Sequence, residues 1–203
     1  MSDATDHAAE AMIDAAPRRR PVAPFVALAV AAVLGGLFWV LASSDSGTDD
    51  KVGLVASPLL DRPAPSVRGT TADDQLFDLS RRKGSWVVVN IFNSDCVPCK
   101  AEHPELLAFV AQQSTLGAVG AELYTIAQGD TPETVNAFFA ERGGDWPVVI
   151  DEDGTITVAF GVAQVPETFI IDPDGFVRVR WAGAIDAITL ANLVQQERIA
   201  YGG

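Results

Sequence analysis

The chain has 203 residues, of which 48% are hydrophobic, and its formal net charge at pH 7 is −13. This length accommodates one globular domain and an additional segment. The acidic charge argues against nucleic acid or anionic lipid head groups as partners, because both would be repelled.

An uncharged apolar segment over residues 22–42 is long enough to cross a bilayer as one helix. Three arginines at positions 18–20 directly precede it. The positive-inside rule therefore predicts a cytoplasmic tail over residues 1–21, a transmembrane signal-anchor over 22–42 and an extracytoplasmic remainder. A cleaved signal peptide is the alternative, but this segment is longer than the ~7–15 apolar residues of a typical signal core.

Residues 43–62 begin with a polar, acidic stretch that predicts an extracytoplasmic linker, so the folded domain is expected over residues 63–203. Within that domain, β-branched runs and helical patterns alternate. Strands are predicted at 75–79, 85–92, 122–128, 146–151, 167–172 and 176–181, and helices at 98–113, at 132–142, in a short segment that ends at Phe160, and at 186–199. This order predicts an α/β fold in which a mixed β-sheet carries helices on both faces.

The chain has two cysteines, Cys96 and Cys99, which form a C-x-x-C motif between the predicted strand 85–92 and the following helix. A disulfide across so short a gap constrains little of the unfolded chain, which argues against a structural staple. A helix N-terminus stabilises a thiolate through its free N–H groups and partial positive charge. The motif therefore predicts a redox pair, with Cys96 as the exposed nucleophile and Cys99 as the more buried resolving thiol.

A metal site is the alternative for these cysteines. Zinc takes four ligands, but the only other soft ligand nearby is His103, about one helical turn after Cys99. Two thiolates and one imidazole could hold copper(I); otherwise His103 is expected to be an ordinary residue on the helix surface. The segments D-E-D-G at 151 and D-P-D-G at 172 predict turns rather than calcium sites, because they lack the other ligands of a calcium loop.

Pro166 directly precedes the predicted strand 167–172. A cis Val165–Pro166 bond would let this loop lie against the dithiol and offer its backbone to an extended substrate. The general frequency of cis bonds, about 5–6% of X-Pro bonds, favours instead a trans proline at the start of a strand.

Three stretches together give a specific resemblance: C-V-P-C-K-A-E-H-P-E-L, G-V-A-Q-V-P-E-T-F-I-I-D and D-G-F-V-R. In matching order over about residues 58–200, they resemble the membrane-anchored thioredoxin-like thiol–disulfide reductases of cytochrome c maturation, the group containing TlpA, ResA and CcmG. The resemblance implies a thioredoxin fold, dithiol–disulfide exchange and a single-pass location in a bacterial cell membrane. It also implies that Pro166 is the cis-proline of the substrate loop.

Further site residues follow from the same resemblance. Asn90 stands where thioredoxin has a buried acid, and Glu102 matches an acid thought to tune the thiols, although a solvated helix glutamate is the alternative. Glu167 either shapes the substrate groove or only begins a strand. Asp95 is a departure, because the residue before the first cysteine is usually Trp. Its carboxylate, like that of Glu102, is expected to oppose the thiolate and raise the pKa of Cys96.

The leading functional hypothesis is therefore an anchored extracytoplasmic thiol–disulfide oxidoreductase that reduces protein disulfides and needs no cofactor beyond its own redox-active disulfide. The resemblance implies an apocytochrome c or its chaperone as client, and a membrane thiol carrier as electron donor. One alternative is a copper(I) chaperone using Cys96, Cys99 and His103. Another is a peroxiredoxin-like peroxidase, but those enzymes carry Thr three residues before the reactive cysteine, where this chain has Asn93.

Overall fold

The computed structural model describes residues 28, 30–36 and 53–202, and the chain divides into two units, Met1–Gly47 and Thr48–Gly203. Residues 28 and 30–36 are helical. Among the described residues, no helix combines the length and apolar character needed to cross a membrane. The predicted tail, most of the predicted anchor and residues 43–52 of the predicted linker lie outside the described residues.

Within residues 53–202, the second unit contains eight strands and four α-helices, with short 3₁₀ turns at Leu79–Arg82 and Gly117–Val119. The strands are β1 (Gly53–Leu54), β2 (Arg68–Thr70), β3 (Leu76–Asp78), β4 (Val87–Phe92), β5 (Glu122–Gln128), β6 (Val148–Asp151), β7 (Glu167–Ile171) and β8 (Val177–Ala182). The helices are α1 (Val97–Ser114), α2 (Pro132–Arg142), α3 (Thr155–Ala159) and α4 (Ala187–Gly202).

Six strands form the main sheet in the order β1-β8-β7-β4-β5-β6, and β2 and β3 form a separate antiparallel pair. β4 pairs in parallel with β5, and β5 with β6, whereas β7 runs antiparallel to β4 and β8 antiparallel to β7. Every residue of β4 is buried, as its apolar sequence predicted for a central strand. The combination of parallel and antiparallel pairings confirms the predicted mixed sheet.

The two faces of the sheet bury separate hydrophobic clusters. On one face α1, α2 and α4 pack against strand residues such as Val88 and Ile170. On the other face α3 and the segment around Val67 pack against residues such as Val89 and Phe169. Helices therefore cover both faces, as expected for this α/β class.

The start of the domain differs from its predicted boundary. β1 lies inside the stretch 43–62 that was expected to be a linker, and it pairs with β8 in the register Gly53↔Ala182 and Leu54↔Trp181. Leu59 and Leu60 also pack against the core. The sheet therefore includes Gly53. The sequence pattern did not show this, because short edge strands are stabilised by tertiary pairing rather than by their own sequence.

Candidate active site

The two cysteines lie at the junction between β4 and α1, at the carboxyl end of the central strand. Cys96 is the N-cap of α1 and partly exposed, whereas Cys99 is one turn inside the helix and only 3% exposed. They are joined by a disulfide, and the Cys99 backbone N–H donates to the Cys96 sulfur at 3.2 Å. An N–H group aimed at this sulfur stabilises a thiolate once the disulfide is reduced.

The loop before Cys96 is fastened to the end of β5. The backbone N–H and the hydroxyl of Ser94 both donate to the buried Asp130 carboxylate at 2.7 Å. The Asn93 side-chain amide donates to the Gln128 carbonyl at 2.9 Å. Thr131 caps α2, whereas the Asp130 carboxylate holds the cysteine loop. The position of Cys96 is therefore fixed by contacts between the residues that follow β4 and those at the end of β5.

Asp95, the unexpected acid beside Cys96, points into solvent. Its side chain is 99% exposed, and its carboxylate lies 3.6 Å from the Lys100 ammonium. An exposed charge with a nearby cation acts only weakly on a neighbour, because water and salt screen it. Asp95 therefore disfavours the Cys96 thiolate only weakly.

The loop of residues 161–166, here called the cis-proline loop, lies beside the dithiol. The Val165–Pro166 bond is cis, which confirms the isomer implied by the resemblance. The Val165 carbonyl oxygen lies 3.6 Å from the Cys96 sulfur, and the Pro166 carbonyl accepts from the Gly183 N–H at 2.9 Å. A polypeptide bound across Cys96 would therefore meet the backbone of this loop.

Glu102 is a buried carboxylate and not a solvated helix residue. It is 2% exposed, and its two oxygens accept hydrogen bonds at 3.0 Å from the Asn90 amide and the Ile185 backbone N–H. Burial raises the pKa of Glu102 to about 7, although both hydrogen bonds favour the ionised form. The side chain can therefore hold or release a proton near neutral pH.

Glu102 and Cys99 border the same internal cavity, next to Asn90 and His103. The cavity measures about 10 Å³, close to the smallest space, about 10–15 Å³, that admits one water molecule. Asn90 donates to Glu102 and to Thr168, both at 3.0 Å, but its carbonyl oxygen has no partner among the described groups. The cavity thus gives the resolving thiol a polar neighbourhood inside an otherwise apolar core.

His103 is also buried, which corrects the expectation of a helix-surface residue. It is 3% exposed, its Nε2 lies 2.8 Å from the Gly143 carbonyl oxygen, and its ring packs against Phe138, Phe139 and Trp146. Burial lowers the pKa of His103 and so favours the neutral ring. The imidazole therefore has a structural environment of its own.

The copper hypothesis needs three donors in one place. Within residues 28, 30–36 and 53–202, no group of three His, Cys, Asp or Glu side chains could hold a metal ion. Among these residues, the donor set proposed for copper is not assembled.

The acidic segments at 151 and 172 are turns, as predicted. Asp151 accepts hydrogen bonds from the N–H groups of Ile156 and Thr157, and Asp172 accepts one from Arg178.

Glu167, directly after Pro166, is buried and forms a two-point ion pair with Arg180 of β8. Arg180 Nε and Nη2 donate to the two carboxylate oxygens at 2.6 and 3.0 Å. Sequence reasoning missed Arg180. In V-R-V-R-W it alternates with apolar residues, a pattern that predicts a solvent-facing side chain.

A family model described as AhpC/TSA family matches residues 60–180, a range that spans the cysteine motif and the cis-proline loop. The chain belongs to the AhpC/TSA family. Solved structures share this architecture, including a thioredoxin family thiol:disulfide interchange protein from Chlorobium tepidum TLS (TM-score 0.58, 26% identity, 70% of this chain and 98% of that chain). A DsbF homologue from Corynebacterium diphtheriae matches with a TM-score of 0.63 at 20% identity, over 75% of this chain and 96% of that one.

Curated relatives of this chain carry names that refer to one chemistry, thiol–disulfide exchange. Thiol:disulfide interchange protein HelX of Rhodobacter capsulatus is 30% identical over 80% of this chain and 88% of the relative. Thiol:disulfide interchange protein DsbE of Escherichia coli K12 is 30% identical over 82% of this chain and 84% of the relative. Thiol-disulfide oxidoreductase ResA of Bacillus subtilis is 31% identical over 56% and 62%.

The names of these relatives and the Cys96–Cys99 disulfide agree on the class of reaction. The chain is a thiol–disulfide oxidoreductase, which confirms the predicted enzyme class. The relative named ResA confirms the resemblance to the group of thiol–disulfide reductases that contains ResA. At the position where a peroxidase of the peroxiredoxin type would carry Thr, Asn93 uses its side chain to fasten the loop before Cys96.

Proposed function

We propose that the protein is a membrane-anchored, extracytoplasmic reductase of protein disulfides. The observation that carries the proposal is the arrangement at the N-terminus of α1. Cys96 is accessible beside the cis-proline loop, whose Val165 carbonyl lies 3.6 Å from its sulfur, and Cys99 is shielded beneath it. Such a pair can attack a client held against the loop and then release it from inside.

In the first step Cys96 is the nucleophile. Its thiolate attacks one sulfur of a client disulfide, so that a mixed disulfide forms and the client's own S–S bond breaks. The second client sulfur leaves as a thiolate and takes up a proton from solvent. The N–H of Cys99, 3.2 Å from the Cys96 sulfur, and the helix N-terminus favour the attacking thiolate.

In the second step Cys99 is the resolving thiol. It loses its proton and attacks the Cys96 sulfur, which forms the Cys96–Cys99 disulfide and expels the remaining client sulfur as a thiolate. The client has then gained the two electrons that the dithiol has lost, and its second thiolate also takes up a proton from solvent. Glu102 borders the same cavity as Cys99 and, with a pKa of about 7, can accept the proton of this thiol.

Pro166 has a separate role in this scheme. Its cis bond turns the backbone of Val165 towards Cys96, and an extended client segment pairs with that backbone. Recognition through main-chain groups suits a client whose cysteines lie in an unfolded or extended stretch. An apocytochrome c, or a chaperone that carries one, is the client we propose.

The same proposal places the domain outside the cytoplasm. Residues 1–21 form the cytoplasmic tail, 22–42 a single anchor in a bacterial cell membrane, and the following residues the tether of the domain. A membrane thiol carrier re-reduces the Cys96–Cys99 disulfide, and no bound cofactor or metal takes part. Net reduction rather than oxidation follows because the carboxylate of Glu102, and more weakly that of Asp95, disfavours the thiolate form of the pair.

Trapping tests these roles in the full-length chain. A Cys99→Ser variant can complete the first step and not the second, so it should accumulate client proteins in mixed disulfides with Cys96. The Cys96→Ser variant is the matched control and should trap none. Equal trapping by both variants, or trapping only through Cys99, would overturn the assigned roles.

A further inference from the structure

Arg180 makes three hydrogen bonds that converge on the cis-proline loop. Two of them reach the Glu167 carboxylate, at 2.6 and 3.0 Å, and the third runs from Nη2 to the Gly161 carbonyl at 2.9 Å. Gly161 is the first residue of the loop, and Glu167 directly follows Pro166, its last. One guanidinium therefore joins the two ends of the loop.

The surroundings make this contact strong. The Glu167 side chain is almost completely buried and that of Arg180 mostly so, which weakens competition from water. The guanidinium also lies 5.7 Å from the centre of the Phe169 ring. Only arginine has a planar fork that can pair with two carboxylate oxygens and still donate to a third acceptor.

We propose that Arg180 is a positioning residue for the reaction: it holds the cis-proline loop in the shape that presents the Val165–Pro166 backbone to a client. The loop is fixed at Gly161 and Glu167 by Arg180 and at the Pro166 carbonyl by the Gly183 N–H. Val165 lies between these fixed points. Arg180 itself touches neither cysteine; it acts through the backbone it holds.

This role rests on the proposed function, because it matters only for clients that bind along the loop. An extended peptide pairs with the Val165 backbone and needs the loop in place before it binds. A small aromatic disulfide such as 5,5′-dithiobis(2-nitrobenzoate) needs only the Cys96 thiolate. Loss of Arg180 should therefore separate the two kinds of substrate.

The main test compares Arg180→Met with Arg178→Met in the full-length chain. Arg178 is the matched control, because it also lies on β8 and also forms close ion pairs, at 2.6 Å to Asp172 and to Asp61. The substrates are a synthetic peptide closed by one disulfide and the small aromatic disulfide.

For Arg180→Met we expect KM for the peptide to rise about tenfold, whereas kcat and the rate with the small disulfide stay within about twofold of wild type. The Arg178→Met variant should leave KM for the peptide unchanged. An equal rise of KM in both variants would mean general destabilisation and would overturn the positioning role.

A double variant separates positioning from charge neutralisation. In Glu167→Gln/Arg180→Met no buried carboxylate is left without its cation, so the stability lost in Arg180→Met should return. The bond to Gly161 is still missing, so KM for the peptide should stay raised. A wild-type KM in the double variant would show that Arg180 serves only to neutralise Glu167.

Hydrogen exchange provides a readout that needs no client. In Arg180→Met, backbone amides of residues 161–165 should exchange at least about fivefold faster than in wild type, and in Arg178→Met they should not. Unchanged exchange would overturn the inference even if the peptide is a substrate. Wild-type protein that reduces the small disulfide and no peptide would instead count against the proposed protein client.

Discussion

The side chains of Glu102 and Asn90 are hydrogen-bonded at 3.0 Å beneath the dithiol, in the interior between β4 and α1. This bond fixes one oxygen of a carboxylate whose pKa is about 7 next to the cavity that Cys99 borders. Proton transfer at the resolving thiol and the stability of the domain should therefore both depend on the charge of Glu102.

Glu102→Gln should slow the release of a client from the mixed disulfide. Because the amide cannot take the proton of Cys99, we expect at least about a tenfold loss of insulin-reduction rate at pH 7.5, and loss of the wild-type inflection near pH 7. Glu105→Gln is the matched control, since Glu105 also lies on α1 and accepts a backbone N–H, that of Ala187, at 3.0 Å. Equal rates in Glu102→Gln and wild type across this pH range would exclude a proton-transfer role.

The same carboxylate should make unfolding depend on pH. Its pKa is raised from 4.5 to about 7 in the folded state, so its stabilising contribution is complete below pH 4.5 and is lost as pH rises to 7. The shift corresponds to roughly 3 kcal/mol at most. Urea unfolding of the oxidised protein should show this loss between pH 4.5 and 7, and in Glu102→Gln that part of the pH dependence should disappear. A parallel pH dependence in both proteins would contradict the buried state of Glu102.

Asp95→Asn should change the reactivity of Cys96 only a little. The carboxylate is exposed and faces Lys100, so its removal lowers the pKa of the Cys96 thiol slightly, and the effect should fade with salt. We expect alkylation of reduced protein by iodoacetamide at pH 6 to accelerate less than about fivefold at 0.15 M salt, because two close charges in water interact by about 1 kcal/mol, which is a factor of about five. Acceleration of an order of magnitude would restore Asp95 as a strong tuning residue.

His103→Ala should destabilise the domain without altering metal affinity. Removal of the ring leaves a cavity among Phe138, Phe139 and Trp146, and a large-to-small change of this kind costs about 2–5 kcal/mol. Urea unfolding measures this loss. Copper(I) titration of the reduced protein should give the same affinity in wild type and in the folded variant, whereas a clear loss of affinity would revive the copper hypothesis.

Much of the site was predictable because its signals are local. The nearly continuous apolar run of β4, the prolines in the first turns of α1 and α2 and the C-x-x-C spacing each act within a few residues. They were enough to predict which cysteine is exposed and which is shielded. The cis isomer at Pro166 followed from resemblance alone, because a dipeptide does not determine it.

The misses share a physical cause: each depends on what packs against a residue from elsewhere in the chain. Glu102 and His103 sit on a helix whose polar residues suggest a solvated face, yet Ile185 and the aromatic residues of α2 bury them. Gly53 joins the sheet only through β8. Arg180 is held in the interior by Glu167, which lies 13 residues earlier in the chain on the neighbouring strand β7. The local sequence around Arg180 does not show this partner.

The pairing of Gly53 with Ala182 also has a practical side for anyone who attaches the protein to a surface or a reporter. Ala182 pairs in turn with Glu167, so the polypeptide enters the sheet at the dithiol end, next to the cis-proline loop. The opposite end holds Tyr201 of α4, whose ring packs 5.7 Å from that of Trp86. A dye, affinity tag or biosensor support joined after α4 leaves client access free, whereas one inserted just before Gly53 lies at the same end of the sheet as the dithiol, three strands from β4.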